Sequence, residues 1–303
     1  MLVALACDSA GSQTTIVFVS DRDGNLEIYS IGSSGEEETN LTQTEMDESA
    51  PVTSRNRRYI AFLSGGGDNM SIESMRIDGS DRTATTRAAG AYRDIRWGPD
   101  AERIAFVFDD GGQPVVTMAR RDGSNAVRLT RIEGTEVGDW SKSGESVIFA
   151  VGDGVEQGIY SRNPDGVNEF RLTDQPDYSP RWSPDSRRIA FLSTRDGSPD
   201  LYVMDGDGAN LLRITETEAR EQDISWSPNG QYLMFVSDEE GNPEIYAAHR
   251  DGANITRLTY NTVIDHQPVW SPDGNRVAFV SYLDGDAEIF ISCLLYTSPS
   301  PRD

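Results

Sequence analysis

Short apolar segments recur along the chain, and most are preceded by a tight turn. The clearest copy is residues 267–281, QPVWSPDGNRVAFVS, in which a strand ending in tryptophan is followed by a turn and by an apolar strand over 277–280. Pro272 fixes φ in the turn, Asp273 can accept hydrogen bonds from the backbone that follows it, and Gly274 tolerates positive φ. The segment therefore predicts a β-hairpin.

The hairpin returns at a constant interval. Successive copies are centred on Thr53, Trp97, Trp140, Trp182, Trp226 and Trp270, at spacings of 44, 43, 42, 44 and 44 residues. A repeat of this length, made of short strands and turns without helices, is typical of the blades of a β-propeller. We expect each tryptophan to pack between neighbouring blades rather than to bind a ligand.

Each repeat predicts four strands, A to D in chain order. Strand A ends at the tryptophan, strand B is apolar throughout, strand C contains Ile-Tyr and strand D ends in Leu-Thr. Because strand B does not alternate between apolar and polar residues, it should be buried on both faces. The fold class is therefore all-β, a propeller of four-stranded blades.

The number of blades follows from the terminal repeats. Residues 16–42 supply strands B, C and D, and residues 268–292 supply strands A, B and C. Seven blades are favoured, with the missing strands expected after Ser292, so that the ring is incomplete at the C-terminus of this chain. Six blades are the alternative if the two terminal pieces merge into one sheet.

The two ends of the chain lie outside the repeat. Residues 1–15 resemble a truncated lipoprotein signal and tether, with Leu5-Ala6-Cys7 in the lipobox position, so Cys7 is a candidate lipidation site; a chance apolar N-terminus is the alternative. Residues 293–303 fit no repeat and resemble translated adapter sequence, a non-native tail. We expect residues 16–292 to form a single propeller.

The charge of the chain restricts its partners. Fifty acidic residues against 27 basic ones give a net charge of −23. Nucleic acid and anionic membrane surfaces repel such a protein, whereas a basic protein segment or a divalent cation is attracted. With no apolar run of 18 residues, membrane contact is expected only through a lipid anchor.

The Trp-Ser-Pro-Asp-Gly, Ile-Ala-Phe, Ile-Tyr and Leu-Thr series resembles the TolB-like (WD40-like) β-propeller repeat over residues 16–292. This resemblance implies a monomeric protein-binding scaffold of the bacterial cell envelope, periplasmic or at the cell surface. The α/β N-terminal domain of TolB itself has no counterpart here. The family also implies an alternative, the substrate-gating propeller of a prolyl-oligopeptidase-type serine peptidase that lacks its catalytic domain. A propeller that only spaces other domains of a larger envelope protein stays open as well.

Acidic residues cluster on one predicted face of the ring, where the D-to-A and B-to-C loops lie. Five residues before the tryptophan position stand Glu48, Asp177, Glu221 and Asp265, and His266 follows the last of these. Two B-to-C loops contain Asp21, Asp23, Asp284 and Asp286. We expect the face to bind a basic peptide or Ca²⁺, for which carboxylates are the usual ligands. The alternative is that these acids cap turns.

Signatures of catalysis are absent from the sequence. It contains no Gly-x-Ser-x-Gly elbow, no His-Glu-x-x-His and no phosphate-binding glycine loop. Only two histidines occur, His249 and His266, too few for a histidine-based metal cluster. The sequence predicts a protein that is not an enzyme, with no cofactor other than calcium as a candidate.

Overall fold

The computed structural model describes residues 3–7 and 14–294, except positions 87, 89, 110, 111, 113, 131–134, 153 and 284. Within this part, the chain forms 27 β-strands and no helix. Accordingly, none of the described residues belongs to a helix that could cross a membrane. The predicted all-β fold class is confirmed.

The strands form seven sheets, which are the blades. Blades 1 and 2 contain β1 (Val3–Cys7), β2 (Thr14–Ser20), β3 (Glu27–Gly32), β4 (Thr39–Asn40), β5 (Glu48–Thr53), β6 (Tyr59–Gly66), β7 (Asn69–Arg76) and β8 (Thr83–Ala84). Blades 3 and 4 contain β9 (Ala91–Trp97), β10 (Arg103–Asp109), β11 (Pro114–Arg120), β12 (Val127–Arg128), β13 (Thr135–Trp140), β14 (Val147–Val151), β15 (Gly158–Arg162) and β16 (Glu169–Arg171). Blades 5 to 7 contain β17 (Asp177–Trp182), β18 (Arg188–Ser193), β19 (Asp200–Asp205), β20 (Leu212–Arg213), β21 (Glu221–Trp226), β22 (Tyr232–Ser237), β23 (Glu244–His249), β24 (Thr256–Arg257), β25 (Asp265–Trp270), β26 (Arg276–Ser281) and β27 (Glu288–Cys293).

Every blade is an antiparallel meander in which the strands follow one another in chain order. The first strand of each blade contacts the first strands of the neighbouring blades, so the A strands surround the axis of the ring and the D strands lie outermost. Six blades have four strands, and the seventh has three among the described residues. The favoured count of seven blades is confirmed.

The hydrophobic core lies between blades. The B strands are buried on both faces, and Phe62, Phe149, Phe191 and Phe235 are among the largest fully buried side chains. Seven apolar clusters form, each joining two consecutive blades. This arrangement explains the continuous apolar character of the B strands, since both faces of each sheet contact another sheet.

The repeated tryptophans pack at these interfaces, as expected. All five are at most 9% exposed. The indole Nε1 of Trp97 donates to the carbonyl oxygen of Val52 at 2.9 Å, and that of Trp226 donates to the carbonyl oxygen of Arg181 at 3.0 Å. Each of these bonds reaches the preceding blade, so the tryptophan fixes the distance between two sheets.

The hairpin turn has the predicted chemistry. Asp273 Oδ1 accepts hydrogen bonds from Ser271 Oγ at 2.5 Å and from the backbone N–H of Asn275 at 3.0 Å. Ser271 Oγ in turn accepts the N–H of Arg276 at 2.8 Å, and Gly274 has a φ of +73°. The motif is thus a closed set of local bonds that any blade can repeat.

The first and last blades differ from expectation. Strand A of blade 1 was expected after Ser292, but β1 occupies that place and pairs with residues 14–18. Blade 7 packs on blade 1 through Ile16 and Phe18 against Ala278 and Val280. The described ring therefore closes by side-chain packing rather than by a sheet shared between the two ends.

The strands β1 and β27 include residues that the sequence assigned to the two terminal segments, 1–15 and 293–303. Cys7 is the last residue of β1, and Cys293 is the last residue of β27, where it pairs with Arg276. Residues 295–303 of the expected non-native tail lie outside the described residues. The signal and tether over 1–15 and the lipidation of Cys7 stay predictions.

Candidate functional site

The face with the D-to-A and B-to-C loops is held together by hydrogen bonds between the two kinds of loop. Asn25 Nδ2 donates to the carbonyl oxygen of Met46 at 2.7 Å in blade 1. The equivalent bond in blade 6 joins Asn242 Nδ2 to the carbonyl oxygen of Val263 at 2.7 Å. The structure thus brings together the loops that the sequence analysis placed on one face, which we call the loop face.

The four carboxylates that were predicted to line the loop face are buried beneath it. Glu48, Asp177, Glu221 and Asp265 are each the first residue of an A strand and are at most 1% exposed. A ligand at the surface cannot reach these side chains directly. The role of each carboxylate therefore depends on the residues that it contacts within the fold.

Two of the four form ion pairs with arginine. Arg195 Nη2 donates to both carboxylate oxygens of Asp177, at 2.7 and 2.6 Å. Glu48 Oε1 accepts from Arg82 Nη2 at 3.1 Å and from Thr44 Oγ1 at 2.7 Å. Buried charges of this kind are stable only with such partners, and they connect strand A to other strands or loops of its blade.

The other two have no arginine partner. Glu221 Oε1 accepts from Thr217 Oγ1 and Ser237 Oγ, both at 3.1 Å, while Oε2 is buried without a partner among the described residues. Burial raises the pKa of Glu221 to about 7, against the effect of the two hydroxyl bonds. Asp265 Oδ2 accepts from Asn261 Nδ2 at 2.7 Å, and Oδ1 is likewise unpaired among the described residues.

His266 follows Asp265 in the chain, but its side chain packs against an aromatic ring. Its ring stacks on Tyr282 with a centroid distance of 5.5 Å and an interplanar angle of 8°. Burial lowers the pKa of His266, and Nε2 has no hydrogen-bond partner among the described residues. The imidazole is therefore neutral near pH 7 and acts as a packed aromatic ring. No described carboxylate within hydrogen-bonding distance orients it as a general base.

The described calcium candidates, Asp21, Asp23 and Asp286, are not grouped as a metal site. Asp23 accepts hydrogen bonds from the Tyr29 hydroxyl and from Asn40 Nδ2, while the side chains of Asp21 and Asp286 are exposed. Asp284 lies outside the described residues. Among the described residues, no three His, Cys, Asp or Glu side chains are grouped as a metal site.

A group of exposed carboxylates on the loop face lies where the D-to-A loop that joins blades 5 and 6 meets the B-to-C loops of these two blades. Two adjoining clefts, of about 560 and 490 Å³, share Glu216, Thr217 and Glu218 as lining residues. Asp238 and Glu239 also line the first cleft. Asp196 and Arg213 line the second, where Arg213 Nη1 lies 3.7 Å from Glu216 Oε1. Glu216 and Glu218 were not among the predicted site residues, because the prediction rested on the single position five residues before the tryptophan in each loop.

A second group that the sequence analysis missed lies on the A strands of blades 3 to 5. Arg96 Nε and Arg181 Nη1 both donate to the carbonyl oxygen of Gly138, at 3.0 and 3.2 Å. Glu136 accepts from the backbone N–H and the hydroxyl of Ser179, at 3.0 and 3.1 Å. We call Asp94, Arg96, Glu136, Asp139 and Arg181 the channel cluster.

Burial changes the acidity of the channel cluster. It lowers the pKa of Arg96 to about 10, and the nearby charge of Arg181 acts in the same direction. It raises the pKa of Asp139, and burial together with the charge of Glu136 raises the pKa of Asp94. Charged residues within strand A, such as Asp94, Arg96 and Arg181, were a usable signal, because the A strands surround the ring axis.

Comparison with known proteins identifies the repeat. A family model described as the TolB beta propeller domain matches residues 172–296. Residues 172–296 contain TolB-like β-propeller repeats. A TolB homolog of Chlorobium luteolum is 30% identical over 152 residues, which are 48% of this chain and 34% of that protein. The Tol-Pal system protein TolB of Bordetella pertussis is 26% identical over 165 residues, 50% of this chain and 35% of that protein. The chain thus spans about a third of the length of the curated relatives that it matches.

Solved structures show that the TolB-like fold is shared widely. TolB from Acinetobacter baumannii has a TM-score of 0.64 at 20% identity, over 82% of this chain and 64% of that chain. An oligogalacturonate lyase in complex with manganese has a TM-score of 0.75 at 12% identity, over 97% of both chains. A puromycin-hydrolyzing peptidase of Mycobacterium tuberculosis has a TM-score of 0.72 at 13% identity, over 96% of this chain and 52% of that chain. At these identities the likeness concerns the fold alone.

Proposed function

We propose that the protein is a non-enzymatic scaffold of the bacterial cell envelope, which binds a basic segment of a partner protein on its loop face, in the manner of a TolB-type propeller. The observation that supports this most directly is the acidic cleft lined by Glu216, Glu218, Asp238 and Glu239, which has no basic residue among its described lining residues. The resemblance to TolB of the Tol-Pal system supports a protein as the partner. We further propose a periplasmic or cell-surface location and a monomeric state, with attachment through Cys7 as an alternative in which cleavage before Cys7 would remove most of β1.

The geometry of the clefts suits a cationic side chain. Glu218 is exposed and lines both clefts, so a lysine or arginine of the partner can reach it from solvent. Exposed charge pairs contribute modestly to affinity but increase the rate of association, and salt screens them. Binding on this face should therefore weaken as the ionic strength rises.

A binding measurement with a charge-reversal pair tests the proposal. An envelope extract is passed over the immobilised protein, and each retained protein is then purified and titrated by calorimetry at low and high salt. We expect Glu218→Lys to weaken binding by about fivefold or more at low salt. Glu102→Lys, an equal charge change at an exposed position of the A-to-B turn in blade 3, should have little effect. Equal affinities of the two variants would refute binding at this face.

The peptidase alternative has one observation in its favour, the fold shared with the puromycin-hydrolyzing peptidase over 96% of this chain. The genomic locus downstream of the codon for Ser292 distinguishes the two functions. A following segment of a few hundred residues with a Gly-x-Ser-x-Gly turn would favour the substrate-gating propeller of a serine peptidase. A further strand D followed by a stop codon would favour the scaffold.

A further inference from the structure

Blade 5 holds a guanidinium group beneath the loop face. Arg195 Nε donates to Ser193 Oγ at 2.9 Å, and Arg195 Nη2 donates to both carboxylate oxygens of Asp177, at 2.7 and 2.6 Å. The guanidinium carbon also lies 5.6 Å from the ring centroid of Phe191 and 4.9 Å from that of Tyr202. A serine, a carboxylate and two aromatic rings thus surround one arginine side chain.

Blade 1 repeats part of this arrangement. Arg22 Nε donates to Ser20 Oγ at 3.0 Å. Its guanidinium carbon lies 5.5 Å from the ring centroid of Phe18 and 4.9 Å from that of Tyr29. The two rings are stacked with centroids 5.6 Å apart, against 5.7 Å for the equivalent pair in blade 5. In both blades the arginine stands two residues after the last residue of strand B.

Blade 6 has the same surroundings without the arginine. Phe235 and Tyr246 are stacked with centroids 5.7 Å apart. Ser237 Oγ donates to Glu221 Oε1 at 3.1 Å. The arginine position is occupied by Glu239, whose N–H donates to Ser237 Oγ at 3.4 Å, and the equivalent bond in blade 5 measures 3.2 Å. A carboxylate therefore stands where blade 5 has the cation that neutralises the acid of strand A.

Two polar atoms of blade 6 are buried without a partner among the described residues, which include all of 216–260. Glu221 is 1% exposed, and its Oε2 accepts no hydrogen bond there, whereas both oxygens of Asp177 are paired. The hydroxyl of Tyr246 is the other atom, whereas that of Tyr202 donates to Asp196. Because buried polar atoms of native folds are nearly always paired, Glu221 Oε2 is placed to accept a hydrogen bond from a group that enters the site.

The acidic cleft of about 560 Å³ leads from solvent to this site. Thr217 and Glu239 line the cleft, and Thr217 Oγ1 donates to Glu221 Oε1 at 3.1 Å. The carboxylate of Glu221 is therefore one hydrogen bond away from the lining of the cleft. Glu218 and Glu239 are exposed, so a long cationic side chain meets two exposed carboxylates before it reaches the buried one.

The surroundings favour arginine over lysine. A guanidinium is planar, stacks on aromatic rings and donates several N–H groups in a fixed geometry, whereas an ammonium is a compact, strongly hydrated charge. Arg195 uses both the stacking and the fixed geometry in blade 5. Burial raises the pKa of Glu221 to about 7, so this carboxyl group is partly protonated near neutral pH, and an entering cation stabilises its ionised form.

We propose that blade 6 binds an arginine side chain of the partner's basic segment, which enters through the acidic cleft, pairs with Glu221 and stacks on Tyr246. The guanidinium donates to Glu221 Oε2 and takes the place that Arg195 has in blade 5. The inference rests on the proposed function, because it names the residue type that the loop face recognises. It adds two requirements, which are arginine rather than any cation and a buried rather than an exposed carboxylate.

Three matched peptides test the inference. Acetyl-Gly-Ser-Arg-Ser-Gly-amide and its counterparts with lysine or with neutral citrulline in place of arginine are titrated with the full chain and followed by calorimetry. We expect the arginine peptide to bind at least about tenfold more tightly than the lysine peptide, and the citrulline peptide to show no saturable binding. Glu221→Gln should weaken binding of the arginine peptide at least about tenfold.

A second variant places an arginine in the site from within the chain. Glu239→Arg restores the arrangement of blade 5, so it should abolish binding of the arginine peptide and raise the urea concentration at which the protein unfolds. Glu102→Arg is the control, since it makes the same charge change at an exposed turn of blade 3. We expect this control to change neither peptide binding nor the unfolding midpoint.

Several outcomes would overturn the inference. They are equal binding of the arginine and lysine peptides, unchanged binding to Glu221→Gln, and no saturable binding up to about 10 mM peptide. If Glu218→Lys weakens binding of a retained envelope protein while Glu221→Gln does not, the inference is wrong and the proposed function stands. The three peptides and Glu221→Gln decide the matter even if Glu239→Arg fails to fold.

Discussion

Arg195 Nη2 contacts both carboxylate oxygens of Asp177, at 2.7 and 2.6 Å, beneath the loop face of blade 5. The guanidinium also lies over the ring of Tyr202, 4.9 Å from its centroid. One cation thus joins the start of strand A to the start of strand C. In blade 6 the residue equivalent to Arg195 is Glu239, and the carboxylate of Glu221 has no ion pair among the described residues.

The ion pair of Asp177 should contribute to stability. We expect Asp177→Asn to lower the free energy of unfolding by about 2–4 kcal/mol, because it leaves a largely buried guanidinium without its counter-charge. Urea denaturation measures the change. Glu38→Gln, which breaks the exposed pair with Arg22, is the control and should cost about 1 kcal/mol or less. Similar losses in the two variants would contradict this account.

Glu221 should make stability depend on pH near neutrality. Its pKa in the folded protein is about 7, above the ordinary value of 4.5, so the folded state binds more protons than the unfolded state between these values. The resulting stabilisation is present below pH 4.5 and is lost as the pH rises through 7. We expect Glu221→Gln to reduce the difference in unfolding free energy between pH 5 and pH 8 by about 1–2 kcal/mol, allowing for solvent screening.

Glu244 is the matched comparison, because its pKa is shifted in the opposite direction from that of Glu221. Burial acts to raise its pKa, but the hydrogen bonds from Thr259, Asn242 and Arg257 outweigh burial and hold the pKa below 4.5. Its contribution is therefore present above pH 4.5 and is lost as the pH falls through the lowered pKa. Glu244→Gln should be destabilising at pH 7, with a deficit that shrinks on acidification. Parallel pH profiles of the two glutamine variants would show that the burial argument is wrong.

The threonine that lies two residues beyond strand D should be a local determinant of blade stability. Thr215 Oγ1 accepts the N–H of Leu201 at 2.9 Å, and both groups are buried. Thr215→Val leaves that N–H without this acceptor, and we expect a loss of about 1–3 kcal/mol in thermal or urea unfolding. Thr256→Val changes an exposed threonine of the equivalent strand in blade 6 and should be nearly neutral. If Thr215→Val proved neutral, the hydrogen bond from the N–H of Ile214 to the carbonyl oxygen of Leu201 would be sufficient to hold strand D.

Gly138 should not accept a side chain. A Cβ at this position would lie 2.5 Å from Pro180 Cγ and 2.6 Å from the carbonyl oxygen of Pro180, at the point where Arg96 and Arg181 converge. We expect Gly138→Ala to destabilise the protein by about 1–3 kcal/mol, because blades 4 and 5 must move apart. Gly66→Ala, which meets no atom within 4 Å, is the control in the same unfolding assay. Tolerance of both substitutions would show that the A strands can shift without cost.

The repeat could be predicted because each motif is stabilised locally. The Ser271–Asp273 turn, the apolar B strands and the Leu-Thr ends of the D strands form their bonds within one blade or with the next one. The number of blades followed from counting these motifs. Sequence could not show that residues 3–7 supply a strand A, since this apolar segment has no tryptophan and no turn motif.

The candidate site was less predictable, because burial depends on the arrangement of loops. Asp177 and Glu218 are both acidic residues near the start of strand A, separated from the following tryptophan by 5 and 8 positions. One is buried under an arginine and the other lies in an open cleft. A bulge in most A strands, with positive φ at residues such as Ser179 and Asp223, changes which side chains face the ring axis. No periodic pattern in the sequence marks that bulge.

The contact between blades 7 and 1 has a consequence for motion. In the described residues, no backbone hydrogen bond of a shared sheet joins these two blades, and their contact consists of packed side chains with Arg276 reaching Thr14 Oγ1 at 3.1 Å. The molecule is then a linear array of blades whose two ends touch, and a small rotation of blade 7 separates them without breaking any strand pairing. We therefore expect this contact, which no D-to-A loop spans among the described residues, to open more readily than the contacts between the other blades.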